Sequence, residues 1–178
     1  GDMQKFSVKS ESAYILDEDP DLMFMKAVMV KIYLSDGRTV TIMSDVGKFH
    51  KQSQDLWFEK NVVADDGETK IFSDNLDLIA TEDSVKIYNN VIVNYPEASL
   101  RADKIDYDFV KKYFKVVASK HEVRKRLSLK MGELNMKKQQ LPSEKALNKL
   151  LVAIARIGKK RNVDVVHFKV ADGMADDF

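Results

Sequence analysis

The stretch Thr41–Phe49, TIMSDVGKF, returns twice in altered form further along the chain. Residues 70–78 read KIFSDNLDL and residues 99–107 read SLRADKIDY. An aspartate therefore recurs every 29 residues, at Asp45, Asp74 and Asp103. Self-similarity at a fixed period of about 20 to 50 residues is the sequence signature of a repeat architecture. The sequence predicts a fold built by stacking copies of one unit.

The match between the copies extends well beyond the aspartate. An apolar residue stands three positions before each aspartate and another four positions after it, and Asn61 and Asn90 are each followed by valine. Runs such as 40–44 alternate apolar and polar residues, which is typical of a strand with one face toward a core. Asp36-Gly37 and Asp66-Gly67 predict tight hairpin turns between the runs, and Tyr95-Pro96 holds a similar place before the third copy. Each unit is therefore about two strands.

Composition limits what such a repeat could build. The chain has 178 residues, 44% of them hydrophobic, which suits one globular domain with or without an appendage. It contains no cysteine, so a disulfide framework, a cysteine nucleophile and a zinc knuckle are excluded. No apolar run approaches the roughly 18 residues that cross a bilayer. Charge is uneven, since residues 1–118 carry a net charge of −6 and residues 119–178 a net charge of +7.

These patterns predict a mainly β fold with a C-terminal α+β extension. Residues 7–117 should form seven or eight strands, arranged as two sheets folded over each other or as a twisted open jelly roll. Residues 118–178 form the basic extension. Within it, leucine and isoleucine at helical spacing predict a helix near 144–157, and VDVVHFKV predicts a strand over 163–170.

The sequence offers few candidates for catalysis. The aspartate column could supply an acid–base pair, Asp74 and Asp103, for a polysaccharide-active β-solenoid enzyme. However, such a pair needs two unequal environments, and a repeated column offers equal ones, so turn or edge chemistry explains it better. His50, His121 and His167 have no metal-ligand spacing. Aromatic residues interleaved with lysine occupy repeat positions, which favours strand packing over nucleic-acid binding. We expect neither a metal nor a cofactor.

Four segments together resemble one known family. They are SDGRTVTIMSDVGKF (35–49), LWFEKNVVADDGETKIFSDNLDL (56–78), VKIYNNVIVNYPEASLRADKIDY (85–107) and KKYFKV (111–116). Their order is similar to the lipopolysaccharide-transport repeat that LptC, LptA and the N-terminal part of LptD share, and the single short domain resembles LptC most. Residues 118–178 carry no such resemblance.

The resemblance implies a non-enzymatic relay protein with a boat-shaped β jelly roll. Such a protein takes lipopolysaccharide from an inner-membrane LptBFG-type ABC transporter and passes it to an LptA-like jelly roll through an open sheet edge. It also implies a periplasmic location and an N-terminal inner-membrane span before residue 2. We expect the lipid acyl chains to contact the inward-facing columns, namely Val40, Ile42, Phe58, Val62, Ile71, Leu78, Ile87, Val91, Leu100 and Tyr107.

The basic extension leaves two further interpretations open. Its helix carries cations such as Lys145, Lys149 and Arg156, so the chain could instead be an interaction scaffold that works through this tail, although the solvated face of a packed helix explains them better. We also expect the tail to cover the C-terminal sheet edge near 113–117, either within one molecule or by exchange in a homodimer.

Overall fold

The computed structural model describes residues 5–108, 110–111, 113–118, 142–159 and 167–170. Consecutive strands pair antiparallel along most of the chain. The described strands are β1 (Lys5–Ser10), β2 (Ser12–Leu16), β3 (Asp19–Tyr33), β4 (Thr39–His50), β5 (Leu56–Asp65), β6 (Lys70–Ile79), β7 (Ser84–Asn94), β8 (Ser99–Asp108), β9 (Tyr113–Ala118) and β10 (His167–Val170). The described residues also form the α-helix α1 (Pro142–Lys159) and a short 3-10 helix (Ala80–Glu82).

All ten strands belong to one sheet, in the order β10-β1-β3-β4-β5-β6-β7-β8-β9, with β2 also paired to β3. The pairing of β10 with β1 is parallel, and the others are antiparallel. The predicted mainly β class, with a helix near the C-terminus, is confirmed. The predicted strand number is too low, because β1 and β2 precede the repeat and lie outside its period.

A line of irregularities crosses the middle of the sheet. Pairing registers shift between Met43 and Val46, between Glu59 and Val62, and at the matching points of β6, β7 and β8. Lys60 and Asn61 in β5 and Asn89 and Asn90 in β7 have positive φ. Bulges of this kind bend a strand and increase its twist. Because they align from strand to strand, the sheet bends along one line.

The irregularities also preserve the buried face of each strand. In β4 the buried positions are even-numbered up to Ser44 and odd-numbered from Gly47, and β6 changes phase between Ser73 and Leu76. Side chains of a regular strand alternate between faces, so a slip of one residue sends the following side chains to the other face. The extra residue at each aspartate therefore keeps apolar side chains inward on both sides of the bend.

The predicted hairpin turns form where the dipeptides indicated. Gly37 has a φ of +88° between β3 and β4, and Gly67 has a φ of +95° between β5 and β6. Both values lie in the region that favours glycine. The Tyr95 N–H donates to the Ala98 carbonyl oxygen at 2.8 Å in the third turn. These turns set the register in which the units stack.

The helix α1 packs against the sheet and not apart from it. It contains the predicted range 144–157 and lies against β3, β4, β6 and β7. Leu147, Leu150, Leu151 and Ile154 point into the same apolar core as the strands. The division of the chain into units 7–117 and 118–178 stays a prediction.

Candidate functional site

The interior of the folded sheet brings together all ten residues that the sequence predicts as lipid contacts. They come in pairs from five consecutive strands, β4 to β8, and none is more than 7% exposed. All belong to a single buried cluster. The set consists of Val40, Ile42, Phe58, Val62, Ile71, Leu78, Ile87, Val91, Leu100 and Tyr107.

The helix α1 fills this interior in the observed structure. Leu147, Leu150, Leu151 and Ile154 are each no more than 1% exposed, and they join the same cluster as the ten strand residues. Their spacing of i, i+3, i+4 and i+7 places them along one face of the helix. The sequence showed this apolar stripe, but it did not show which surface the stripe would cover.

A cavity of about 280 Å³ lies where α1 meets the turn between β3 and β4. Four cationic side chains line it together with Asn148, Val152 and Ala153; the cations are Arg38, Lys145, Lys149 and Arg156. The three cations that α1 contributes thus lie close to the turn that contains Arg38.

Arg38 fixes the turn side of this cavity. Its Nε donates to Asp36 Oδ2 at 2.7 Å, and its Nη1 lies 3.7 Å from Asp66 Oδ2. The backbone N–H of Arg38 also donates to Asp36, and this bond is the main reason that the pKa of Asp36 is lowered. Lys149 lowers the same pKa by its charge. On the turn side of the cavity, Asp36 and Asp66 therefore balance the charge of Arg38. The α1 side carries the positive charges of Lys145, Lys149 and Arg156.

Tyr107 is the one titratable side chain among the ten predicted contacts. Burial raises the pKa of its phenol, the charge of Arg156 lowers it, and that of Asp108 raises it. The hydroxyl provides a polar point within an otherwise apolar wall.

The aspartate column has a structural role on the outer face. The Asn61 amide donates to Asp45 Oδ2 at 2.7 Å, and the Asn90 amide donates to Asp74 Oδ2 at 2.6 Å. Each bond links an aspartate to an asparagine of the next strand. The aspartate lies where the buried positions of its strand change between even and odd numbers, and the asparagine belongs to the positive-φ pair. Asp103 holds the same place in the third copy, whose partner position 119 lies outside the described residues. The repeat thus reflects conserved geometry of the bend from unit to unit.

Ser44 and Ser73, which stand one position before Asp45 and Asp74, support the same bend from the buried face. The Ser44 hydroxyl donates to the Val46 carbonyl oxygen at 2.8 Å, and the Ser73 hydroxyl donates to the Asn75 carbonyl oxygen at 3.1 Å. A bulge leaves a backbone group without its ladder partner, and a buried group of that kind is costly unless it is hydrogen-bonded. These serines supply the bond.

Asp74 and Asp103, the candidate acid–base pair, are both exposed. His50 accepts a hydrogen bond from the Ser53 N–H in the turn after β4, and His121 lies outside the described residues. Among the residues that the structure does describe, no group of histidine, aspartate and glutamate side chains could hold a metal ion. The described side chains of the interior form a buried apolar cluster.

The two edges of the sheet differ. Along β9 the described strands pair only on the β8 side, and Tyr113 and Val117 are 62% and 39% exposed. The other edge, β1, is covered by β10, with Ser7 opposite His167 and Val8 opposite Phe168. The tail strand β10 thus lies on the β1 edge and not on the C-terminal edge. Residues 119–141, 160–166 and 171–178 of the tail lie outside the described residues, and coverage of the C-terminal edge by exchange in a homodimer stays a prediction. In the described part of the chain, no helix is both long and apolar enough to cross a membrane.

Comparison with known proteins gives similarities of structure and of sequence. Among solved structures, the chain is similar to LptH of Pseudomonas aeruginosa, described as the LptA homologous periplasmic component of the lipopolysaccharide transport device, with 14% identity and a TM-score of 0.48. That match covers 65% of this chain and 84% of LptH. No curated protein matches. The family model "Lipopolysaccharide-assembly, LptC-related" matches residues 4–120, more than half of the sequence. The chain therefore belongs to the LptC-related family of lipopolysaccharide-assembly proteins.

Proposed function

We propose that this protein binds the acyl chains of lipopolysaccharide inside its folded sheet and relays the lipid without catalysing a reaction. It receives lipopolysaccharide from an inner-membrane LptBFG-type ABC transporter and passes it to an LptA-like jelly roll in the periplasm. The observation that carries this proposal is the apolar interior, which five consecutive strands line with two large buried side chains each.

The energy of such binding is large enough for capture. Each buried methylene contributes about 0.8 kcal/mol, so an acyl chain of about 12 carbons gains roughly 10 kcal/mol inside an apolar site. The four large side chains of α1 gain about 1.5–3 kcal/mol each by burial, or roughly 6–12 kcal/mol together. The two gains are similar. An acyl chain can therefore take the place of the helix at little net cost.

Transfer to a partner requires an open sheet edge. Unpaired backbone groups along an edge strand pair readily with a strand of another chain, and such pairing joins two sheets into one. The β9 edge is accessible in the described structure, so we assign the outgoing partner to β9. Joined interiors would let an acyl chain move between two apolar sites without entering water. We further propose that an N-terminal span holds the protein at the inner membrane.

Site-specific photo-crosslinking tests the binding site. A photoreactive phenylalanine analogue in place of Phe58, in the interior, should label lipopolysaccharide. The same analogue in place of Tyr33, which is 46% exposed on β3, serves as the matched control and should not. Equal labelling at the two positions, or labelling at Tyr33 alone, would contradict an interior site.

A second candidate function is an interaction scaffold that acts through the basic tail. The cavity lined by Lys145, Lys149 and Arg156 favours it, because clustered cations attract anionic surfaces. Replacing these three residues by alanine separates the two functions. Loss of binding to anionic lipid vesicles together with unchanged labelling from position 58 would support a scaffold role beside the relay. Unchanged binding to the vesicles would exclude the scaffold.

A further inference from the structure

We infer that α1 is an intramolecular competitor of the lipid, and that the observed structure is a closed state in which the acyl-chain site is occupied by the protein's own helix. The inference rests on the proposed function, because it identifies what must leave the interior before lipid enters. It assigns a role to the C-terminal extension that the family resemblance over residues 4–120 does not cover.

The first evidence is that the helix and the proposed lipid contacts share one volume. Ile42, Phe58 and Ile87 have no exposed surface, and Leu150 and Leu151 of α1 are equally buried in the same cluster. The helix lies against β3 and β4 and also against β6 and β7, so it spans the interior rather than one edge of it. Protein interiors are close-packed. An acyl chain cannot reach these side chains while the helix remains.

The second evidence is the character of the helix itself. Its apolar face is flanked by Lys145, Lys149 and Arg156, all exposed. A basic amphipathic helix binds anionic lipid surfaces by burying its apolar face among the acyl chains and pairing its cations with headgroups. Once displaced, α1 therefore has an alternative partner in the lipid that displaces it. The same lipid that needs the site also stabilises the released helix.

The third evidence is the strand that follows the helix. β10 pairs in parallel with β1 and covers that edge of the sheet. The described part of the tail thus occupies the interior and the β1 edge in the same state, and no described strand covers the outgoing β9 edge. In this closed state, β10 prevents a strand of another protein from pairing with β1.

A variant that releases the helix, compared with a matched control, tests the competition. Leu150→Asp places a carboxylate on the buried face and should release the helix, whereas Asn148→Asp adds the same charge beside the cavity and should leave it docked. When only a minor population is competent to bind, the apparent affinity is reduced by that fraction. We expect Leu150→Asp to bind lipopolysaccharide on the order of tenfold tighter than Asn148→Asp. Far-UV circular dichroism checks that both variants keep the sheet.

The opposite perturbation locks the helix in place. Arg38 and Lys149 line the same cavity from the turn and from α1, and the chain has no native cysteine. The double variant Arg38→Cys and Lys149→Cys can therefore be joined by a bismaleimide linker. The same variant capped with N-ethylmaleimide is the control, since both forms lose the same two cations. Linked protein should bind lipopolysaccharide at least about tenfold more weakly than capped protein.

The outcomes separate this inference from the proposed function. Tighter binding by Leu150→Asp together with weaker binding by the linked protein supports the competition. Lipopolysaccharide that labels the photoreactive analogue at position 58 equally in linked and capped protein would overturn the competition and leave the relay intact. Absence of binding in every form, including Leu150→Asp, would overturn both.

Discussion

Replacing Asn90 by alanine should destabilise the bend of the sheet by two separable effects. Asn90 has a φ of +56°, and its amide donates to Asp74 Oδ2 at 2.6 Å. The left-handed conformation costs an alanine roughly 1–2 kcal/mol, because its Cβ approaches the carbonyl oxygen. Loss of an exposed hydrogen bond costs about 0.5–1.5 kcal/mol. We therefore expect Asn90→Ala to lower the free energy of unfolding by about 2–3 kcal/mol.

Glycine at the same position isolates the hydrogen bond. Asn90→Gly adopts positive φ without strain but donates no side-chain bond, so it should lose only about 1 kcal/mol. Urea unfolding followed by the fluorescence of Trp57, which lies in β5, measures both values. Equal losses for the alanine and glycine variants would refute the argument that the left-handed backbone explains the recurring asparagine. Asp74→Asn retains an acceptor oxygen and should unfold close to the parent.

The same substitution bears on the enzyme hypothesis. If Asp74 were a catalytic acid or base, Asp74→Asn would abolish a hydrolytic activity toward polysaccharide while the protein remained folded. The geometry instead assigns the carboxylate to Asn90 on the exposed outer face, away from the apolar interior. We expect Asp74→Asn to leave the labelling of lipopolysaccharide from position 58 unchanged. A folded Asp74→Asn protein that lost a measurable glycosidase activity would contradict this role.

Three further predictions follow from packing, titration and edge pairing. Gly47→Ala would place a Cβ 2.6 Å from a methyl carbon of Val28 and should lower the unfolding free energy by about 1–3 kcal/mol. The Cβ of Gly37→Ala meets open space, so this control should lose only about 1 kcal/mol through backbone strain. Burial and the hydrogen bond to Asp77 raise the pKa of Tyr88 from 10.0 to about 12. The neutral phenol therefore stabilises the folded state fully below pH 10, and this contribution is lost as pH rises toward 12. Tyr88→Phe should flatten the fall in unfolding free energy over that window. Val117→Lys places a charge on the β9 edge and should weaken binding to an LptA-like jelly roll in calorimetry, while a lysine on the outer face of β3 should not.

The features that could be predicted from sequence are those that repeat. Each copy carries the same alternation, and a turn dipeptide precedes each one, Asp-Gly twice and Tyr95-Pro96 before the third, so the strands and hairpins follow from local rules. The aspartate and asparagine columns also signalled one shared local geometry. Their partnership could have been predicted, because Asp45 precedes Asn61 by 16 residues and Asp74 precedes Asn90 by the same interval. A constant interval between complementary polar residues on neighbouring strands indicates a cross-strand contact.

The position of the tail could not be predicted in the same way. Helical spacing of Leu147, Leu150, Leu151 and Ile154 shows that one face must be buried, but it does not identify the surface that buries it. A strand such as β10 can pair with any open edge of suitable length. Whether it pairs with β1 or with β9 depends on where the C-terminal end of α1 lies relative to the two edges. Tertiary packing decides both. The inward position of the ten proposed contact residues could be predicted because the repeat aligns apolar columns on both sides of each aspartate, even though the buried positions change phase there.

An interior that receives a mobile ligand presents a physical difficulty, because an empty apolar groove has no packing partners and exposes its lining to water. The ten strand residues that line this interior are almost completely buried, and α1 supplies the atoms that bury them. The helix therefore stabilises the unloaded protein with the same kind of contact that an acyl chain would provide. In the proposed relay, loading exchanges one apolar occupant for another, so the sheet would remain packed throughout. A relay built in this way stays folded without lipid and still releases its lipid to the next protein, since the returning helix offsets much of the cost of unloading.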